Sequence, residues 1–337
     1  MPAGDMPNSP RQRNGAQTSE ISRLPRFSGR LESLKSGENI RKAVLLVVAV
    51  LVLATAGFGW WSDRHDNTPD KVFADAIGKL LSTKSITQSV SSNTASLSVK
   101  FDMRNVKDPR VSMTIAEQDG ATVAKVSGYG SLQNEYLKYT TFGDAALDGS
   151  LKSLVNKWVQ IRTNGTVAAD ANADAKALTD PRYLMFGDFL MGNFSAADRQ
   201  DLLQFIKSNH VYNYDVKHVK TVAVQGRNAY VYSLTENVPE LKKLNQKAAA
   251  VMGVPLADVE PALAGINEGG AIELYIDEGT KEIVGYVNTV GTTVARGSYT
   301  DYDMTSLPPQ PHADLTWAQF THKESALTSQ PDGVASL

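Results

Sequence analysis

Cysteine is absent from all 337 residues. That excludes disulfides, zinc–thiolate sites, a lipidated-cysteine anchor and a cysteine nucleophile, so an exported fold would have to rest on its core alone. Histidine is scarce as well, at five residues. His210 and His218 fall in one patterned stretch, yet an unbroken strand would set them about 27 Å apart, too far to share a metal. The common catalytic signatures are missing too. There is no G-x-G-x-x-G after a strand, no P-loop, no G-x-S-x-G and no H-E-x-x-H. Asp170-Ala171-Asn172-Ala173-Asp174 begins like a calcium loop, but Ala175 stands where that loop needs Gly and Pro181 where it needs a bidentate Glu. Asp301, Asp303 and the Asp277-Glu278 pair read as turn and edge acids. The expectation is a non-enzyme with no catalytic residue, no metal and no cofactor.

Charge is small in sum and uneven in place. The net charge is −2, and residues 1–42 hold eight of the 34 Lys/Arg but only four of the 36 Asp/Glu. The remainder is net acidic, and acidic surface repels phosphate, so nucleic acid is not expected as a partner. Asn164-Gly165-Thr166 and Asn193-Phe194-Ser195 match the glycosylation sequon, which matters only in a host with that machinery.

What the chain does have is one long apolar run. Ala43–Trp61 contains no charged residue, and as a helix it would span roughly 29 Å, the hydrocarbon thickness of a bilayer. Arg41 and Lys42 close one end, and Trp60 and Trp61 mark the other, where interfacial aromatics belong. The charge asymmetry keeps residues 1–42 in the cytoplasm as a disordered basic tail and exports the rest. The expected protein is thus single-pass in the cell membrane, with 43–61 as the transmembrane helix. A cleaved signal peptide ending at Ala54-Thr55-Ala56 is the alternative; an n-region of 42 residues speaks against it.

Beyond a linker at 62–68, Thr68, Pro69 and Asp70 open a helix whose apolar positions Val72, Phe73, Ala76, Ile77, Leu80 and Leu81 fall on one face. Period-two segments follow. Leu97, Val99, Phe101 and Met103 alternate with polar residues, as do Val111, Met113 and Ile115. Thr122–Tyr129, Glu135–Phe142 and Lys157–Arg162 extend the meander, with Asp119-Gly120 as a turn. Val167–Leu178 reads as a solvated loop or short helix. Ser195 caps a helix over Ala196–Ser208, and two strands, Tyr212–Val224 and Asn228–Thr235, join through Gln225-Gly226-Arg227. Pro239 opens a further helix that Gly253 stops, and Pro255–Ile266 suggests another. Ala271–Ile276, Ile283–Thr289 and Val294–Met304 close the series. Residues 305–337 read as an extended tail.

Short connections between successive strands argue against a parallel sheet. The expected fold is α+β: one extracytoplasmic domain over 69–304, a large curved antiparallel sheet covered by helices on one face. The stretch most out of proportion is Tyr183–Phe194. Tyr183, Leu184, Met185, Phe186, Phe189, Leu190, Met191 and Phe194 make it apolar on more than one side. It reads either as a helix buried in the core or as the lining of an adaptable apolar ligand site, since Met re-packs around irregular shapes.

The order of elements resembles a known family. The helix over PDKVFADAIGKLLSTKS (69–85) runs into the strand ASLSVKFDM (95–103) and a meander containing KWVQI (157–161). A helical interruption, the strand-to-helix turn YVYSLTENVPELKKL (230–244) and the hairpin AIELYIDEGTKEIVGYVN (271–288) follow. Over about residues 69–304 this is similar to the LolA-like superfamily, in particular the LppX/LprG-type envelope lipoproteins. The resemblance implies a half-barrel closed by helices that holds a lipid in an apolar cavity. That type is anchored through a lipidated cysteine; here a transmembrane helix stands in its place, which implies a fixed binder and not a shuttle. An envelope protein-interaction or sensor role, with a protein partner and no small ligand, is the alternative.

Overall fold

The computed structural model describes residues 68–328, apart from 120–121, 144, 169–179, 225, 265, 267–270 and 291–292. The basic tail, the apolar run Ala43–Trp61, nearly all of the linker, the Asp170–Asp174 stretch and the end of the tail beyond 328 lie outside the described residues. Among the described residues, no helix is long and apolar enough to cross a membrane.

Helix α1, Pro69–Leu80, begins where the spacing predicts. Thr68 occupies the N-cap without a side-chain bond, so the proline φ and the first-turn Asp70 set the start. The helix buries Val72, Phe73, Ala76, Ile77 and Leu80. The Phe73 ring lies 5.2–6.2 Å from those of Tyr212, Tyr214 and Tyr232. The Tyr232 hydroxyl donates to the Pro69 carbonyl at 2.7 Å, fixing the helix start to the sheet.

The strands fall into two meanders with helices between them. The first comprises β1 (Ser85–Ser91), β2 (Ala95–Asp102), β3 (Arg110–Asp119), β4 (Thr122–Ser131) and β5 (Glu135–Phe142), then a short helix α2 (Ala145–Ser150), β6 (Trp158–Thr163) and β7 (Thr166–Val167). Helices α3 (Pro181–Met185) and α4 (Ala196–Ser208) follow, then β8 (Tyr212–Asn213), β9 (Lys220–Val224), β10 (Arg227–Glu236), and helices α5 (Val238–Met252) and α6 (Leu256–Ala264). The second meander runs through β11 (Ala271–Asp277), β12 (Ile283–Val290) and β13 (Thr293–Thr300); β14 (Leu315–Thr316) and α7 (Trp317–Thr328) end the described chain.

These strands form one open sheet in the order β14-β6-β5-β4-β3-β2-β1-β13-β12-β11-β10-β8, with β7 on β6 and β9 on β10. Pairing is antiparallel except between β14 and β6. The two meanders meet at β1 and β13, where Ser89 lies opposite Ser298.

Alternation along each strand becomes two rows across the sheet. One row reads Val126, Ile115, Leu97, Val90, Gly297, Tyr286, Leu274 and Tyr232 over eight strands. The next row, facing the other way, reads Lys125, Ala116, Ser96, Ser91, Arg296, Val287, Glu273 and Ser233. The first belongs to the buried core and the second is mostly polar, as a sheet covered on one face requires. On the covered side α1 packs on α4, α4 on α5, α5 on α6 and α6 on α3.

Several expectations need correction. Ser85–Ser91 (SITQSVS) shows no apolar alternation, yet it forms the central strand β1. The stretch from His210 to His218 is not an unbroken strand. His210 takes φ 46°, pairing stops at Asn213, and Asp215 accepts a hydrogen bond from the Lys217 amide at the start of a 3-10 turn over Val216–His218. The closing strand ends at Thr300, not Met304, because Asp301 and Asp303 turn the chain with φ of 56° and 60°.

The segment after Ser306 is more than an extended tail. It crosses the outer face, from a Thr87–Thr305 hydroxyl contact at 3.0 Å to a bond from Gln310 to the Tyr136 hydroxyl at 3.0 Å. There β14 pairs with the edge of β6, and α7 stacks Phe320 on Tyr139 at 5.6 Å. Burying Leu315, Trp317 and Phe320 is what holds it there.

Candidate functional site

The apolar stretch begins as a helix and then abandons it. Asp180 is the N-cap of α3, accepting from the Arg182 amide at 2.9 Å, and Pro181 takes the first helical position. After Met185 the helix stops, so the expectation of one buried helix over Tyr183–Phe194 holds only for its first turn. Phe186–Phe194 runs as an irregular segment across the covered face. Several of its backbone groups bond to other elements, with Gly192 and Phe194 donating to the carbonyls of Leu80 and Leu81 at 3.2 and 3.0 Å. Asn193 bridges to Ser82. Gly192 is needed here, since a Cβ would fall 2.4 Å from the Phe194 ring.

Leu184, Met185, Phe186, Phe189, Leu190, Met191 and Phe194 are all buried in the single core cluster. Tyr183 lies within α3, and its side chain falls outside what is described. Phe189 meets the sheet, its ring 6.4 Å from both Tyr212 and Tyr299.

Two polar features hold this segment, and pattern reading finds neither. The first is Asn245 of α5, fully buried. Its amide donates to the Gly187 carbonyl at 2.9 Å and to the Leu241 carbonyl at 2.9 Å, while its oxygen accepts from the Gly187 amide at 3.0 Å. An Asn on the buried face of a predicted amphipathic helix was the available signal. The second is a polar island on the sheet. Gln88 Nε2 donates to the hydroxyls of Tyr286 and Tyr299 at 3.3 and 3.2 Å. The Tyr212 hydroxyl donates to the Asp188 carbonyl at 3.0 Å. Burial, joined by the nearby Asp188 carboxylate, pushes the Tyr212 hydroxyl well above its ordinary range, so it stays a neutral donor.

The site is therefore an apolar layer of Phe, Met and Leu laid on the sheet, with a buried polar island below and an amide clamp beside it. It offers adaptable packing and a few hydrogen bonds. Among the described residues no group of three His, Asp or Glu is placed to hold a metal. His218 sits on the surface, paired with Asp215 at 3.0 Å. A groove of about 490 Å³ on the opposite face is floored by Ser89, Ser91, Ser96, Ser98 and Thr114, and is of a different character.

No family model matches the chain, and no curated protein matches it. Solved structures do. The chain is similar to LprF from Mycobacterium bovis, at 12% identity and a TM-score of 0.44, covering 72% of this chain and 96% of that one. It is also similar to the Mycobacterium tuberculosis lipoprotein LppX, at 10% identity and a TM-score of 0.35, covering 71% and 98%.

Proposed function

We propose that the domain binds the apolar chain of a lipid between the Leu184–Phe194 segment and the covered face of the sheet, and that Ala43–Trp61 fixes it to the membrane from which that lipid comes. The reading makes 1–42 cytoplasmic and 69–304 extracytoplasmic, and it assigns binding without catalysis. One observation carries it: the most apolar stretch of the domain is buried beside the sheet with no helix or strand ladder after Met185. Displacing a regular helix or strand from a core means breaking its ladder. Displacing Phe186–Phe194 breaks a handful of bonds to Leu80, Leu81, Asn245 and Tyr212. A ligand chain that replaces the Phe and Met contacts restores the lost burial at about 0.8 kcal/mol per methylene.

The test is photolabelling of the full chain in phosphatidylglycerol vesicles with a diazirine-bearing fatty acyl lipid, followed by peptide mapping. Labelling concentrated in peptides containing 184–194, and competed by unlabelled lipid, is the expected result. Labelling confined to 43–61 would overturn the site, and point to a domain that engages a protein partner instead.

A further inference from the structure

Away from the apolar layer, four charged side chains meet below the surface where β5 and β6 reach the start of α3. Glu135 opens β5 and is fully buried, Arg162 on β6 is 4% exposed and Asp180 is 1% exposed. The sheet register sets Glu135 opposite Arg162. Arg162 Nη2 lies 3.1 Å from Glu135 Oε1 and 2.7 Å from Asp180 Oδ2, and Nη1 donates to the Leu132 carbonyl at 3.4 Å. Arg182 approaches from the other side. Its Nε donates to both oxygens of Asp180 at 2.9 Å, and its Nη1 to Asp258 Oδ2 of α6 at 2.6 Å.

The four groups balance in number but not in pairing. Asp180 is flanked by two guanidinium groups, and the partly exposed Asp258 takes the remaining arm of Arg182. Glu135 has only a share of Arg162, and its Oε2 has no hydrogen-bond partner. Glu135, when ionised, is thus a fully buried carboxylate with part of one guanidinium for a partner, whereas Asp180 has two. An under-partnered charge in a dry site is costly and is removed by taking up a proton.

We propose that Glu135 is a proton-operated latch at the base of the Leu184–Phe194 segment. With its proton in place, Arg162 and Arg182 both commit to Asp180, which caps α3 and so anchors the segment's first turn. Without it, Glu135 competes for Arg162 and the anchor loosens. The latch is a property of the fold and stands whether or not the segment covers a lipid. The groups facing Glu135 are Arg162 from β6 and Asp180 and Arg182 from the start of α3, with Asp258 reached through Arg182. Burial, then the Asp180 carboxylate, raises the Glu135 carboxyl well above the ordinary range despite both arginines.

The sign follows from linkage. A carboxyl whose folded value is raised adds stability that is full below its unfolded value, and that stability is lost as pH rises through the folded value. The segment is therefore held most firmly on the acid side of that window and released on the alkaline side.

Hydrogen exchange of the full chain from about pH 5 to about pH 8, corrected for the intrinsic exchange rate, tests this. In the wild type, peptides covering 181–194 should exchange several-fold faster at the upper end. Glu135→Gln, neutral throughout, should keep them at the protected level across the range. A wild-type profile for 181–194 that does not change with pH overturns the latch without any variant. So does a Glu135→Gln protein that keeps the wild-type pH dependence, or one that loses protection at every pH.

Discussion

A Cβ at Gly297 would fall 1.9 Å from Cζ of Tyr286 and 2.1 Å from its hydroxyl oxygen. The bare glycine lets that ring lie across β13 and reach Gln88 on β1. Gly297→Ala should therefore destabilise by about 1–3 kcal/mol in urea unfolding, as overpacking does. Gly285→Ala is the control. Its Cβ would meet only the Gly297 carbonyl at 3.4 Å, so a change within about 1 kcal/mol is expected. Asn245→Ala removes both bonds to Gly187 and leaves that backbone unsatisfied in a dry site, at a cost of about 2–4 kcal/mol by the same measurement. These roles were not legible beforehand. Periodicity names which residues are buried, but the polar residues that fix buried backbone depend on distant partners, here 58 positions away.

Among elements, those with strong local signals formed where expected. Ser195 caps α4, accepting from the Asp198 amide at 3.2 Å while its hydroxyl donates to the Asp198 carboxylate. Ser195→Ala should lower the melting free energy by about 1 kcal/mol with the Leu184–Phe194 segment unchanged, as thermal unfolding and exchange of 184–194 would report. Gly253 stops α5 at φ 73°, and β5 spans Glu135–Phe142 as expected of the meander. Failures came where tertiary context overrode the local pattern. The strand β1 is written in Ser, Thr and Gln because its core-facing positions include Gln88 and its opposite positions, such as Thr87, are covered by Thr305. Phe186–Phe194 has a helix's hydrophobicity without its hydrogen bonds, because the carbonyls of Leu80 and Leu81 offer its amides better partners.

At the scale of the whole molecule, two distant dependences stand out. The free edge of β6 is closed by β14, and the α7 that follows places Phe320 against Tyr139. A chain ending at Ala313 would expose that edge and uncover the Tyr139 ring. It should lose several kcal/mol of stability and self-associate, read as a lower melting temperature and an earlier elution in size-exclusion chromatography. The other dependence is the seam between the meanders. Gln88 and Tyr299, bonded across it, are 211 positions apart. At a synthesis rate of roughly 5–20 residues per second, β1 emerges and then waits on the order of 10–40 seconds for β13 to exist. Throughout that interval its unpaired edge is a template for whatever strand comes near. A run of Val and Ile would collect the wrong neighbour; SITQSVS is sparing in apolar side chains and gives little reward for a mistaken pairing. The composition that conceals this strand from a reader of patterns also protects the nascent chain while its partner is still being made.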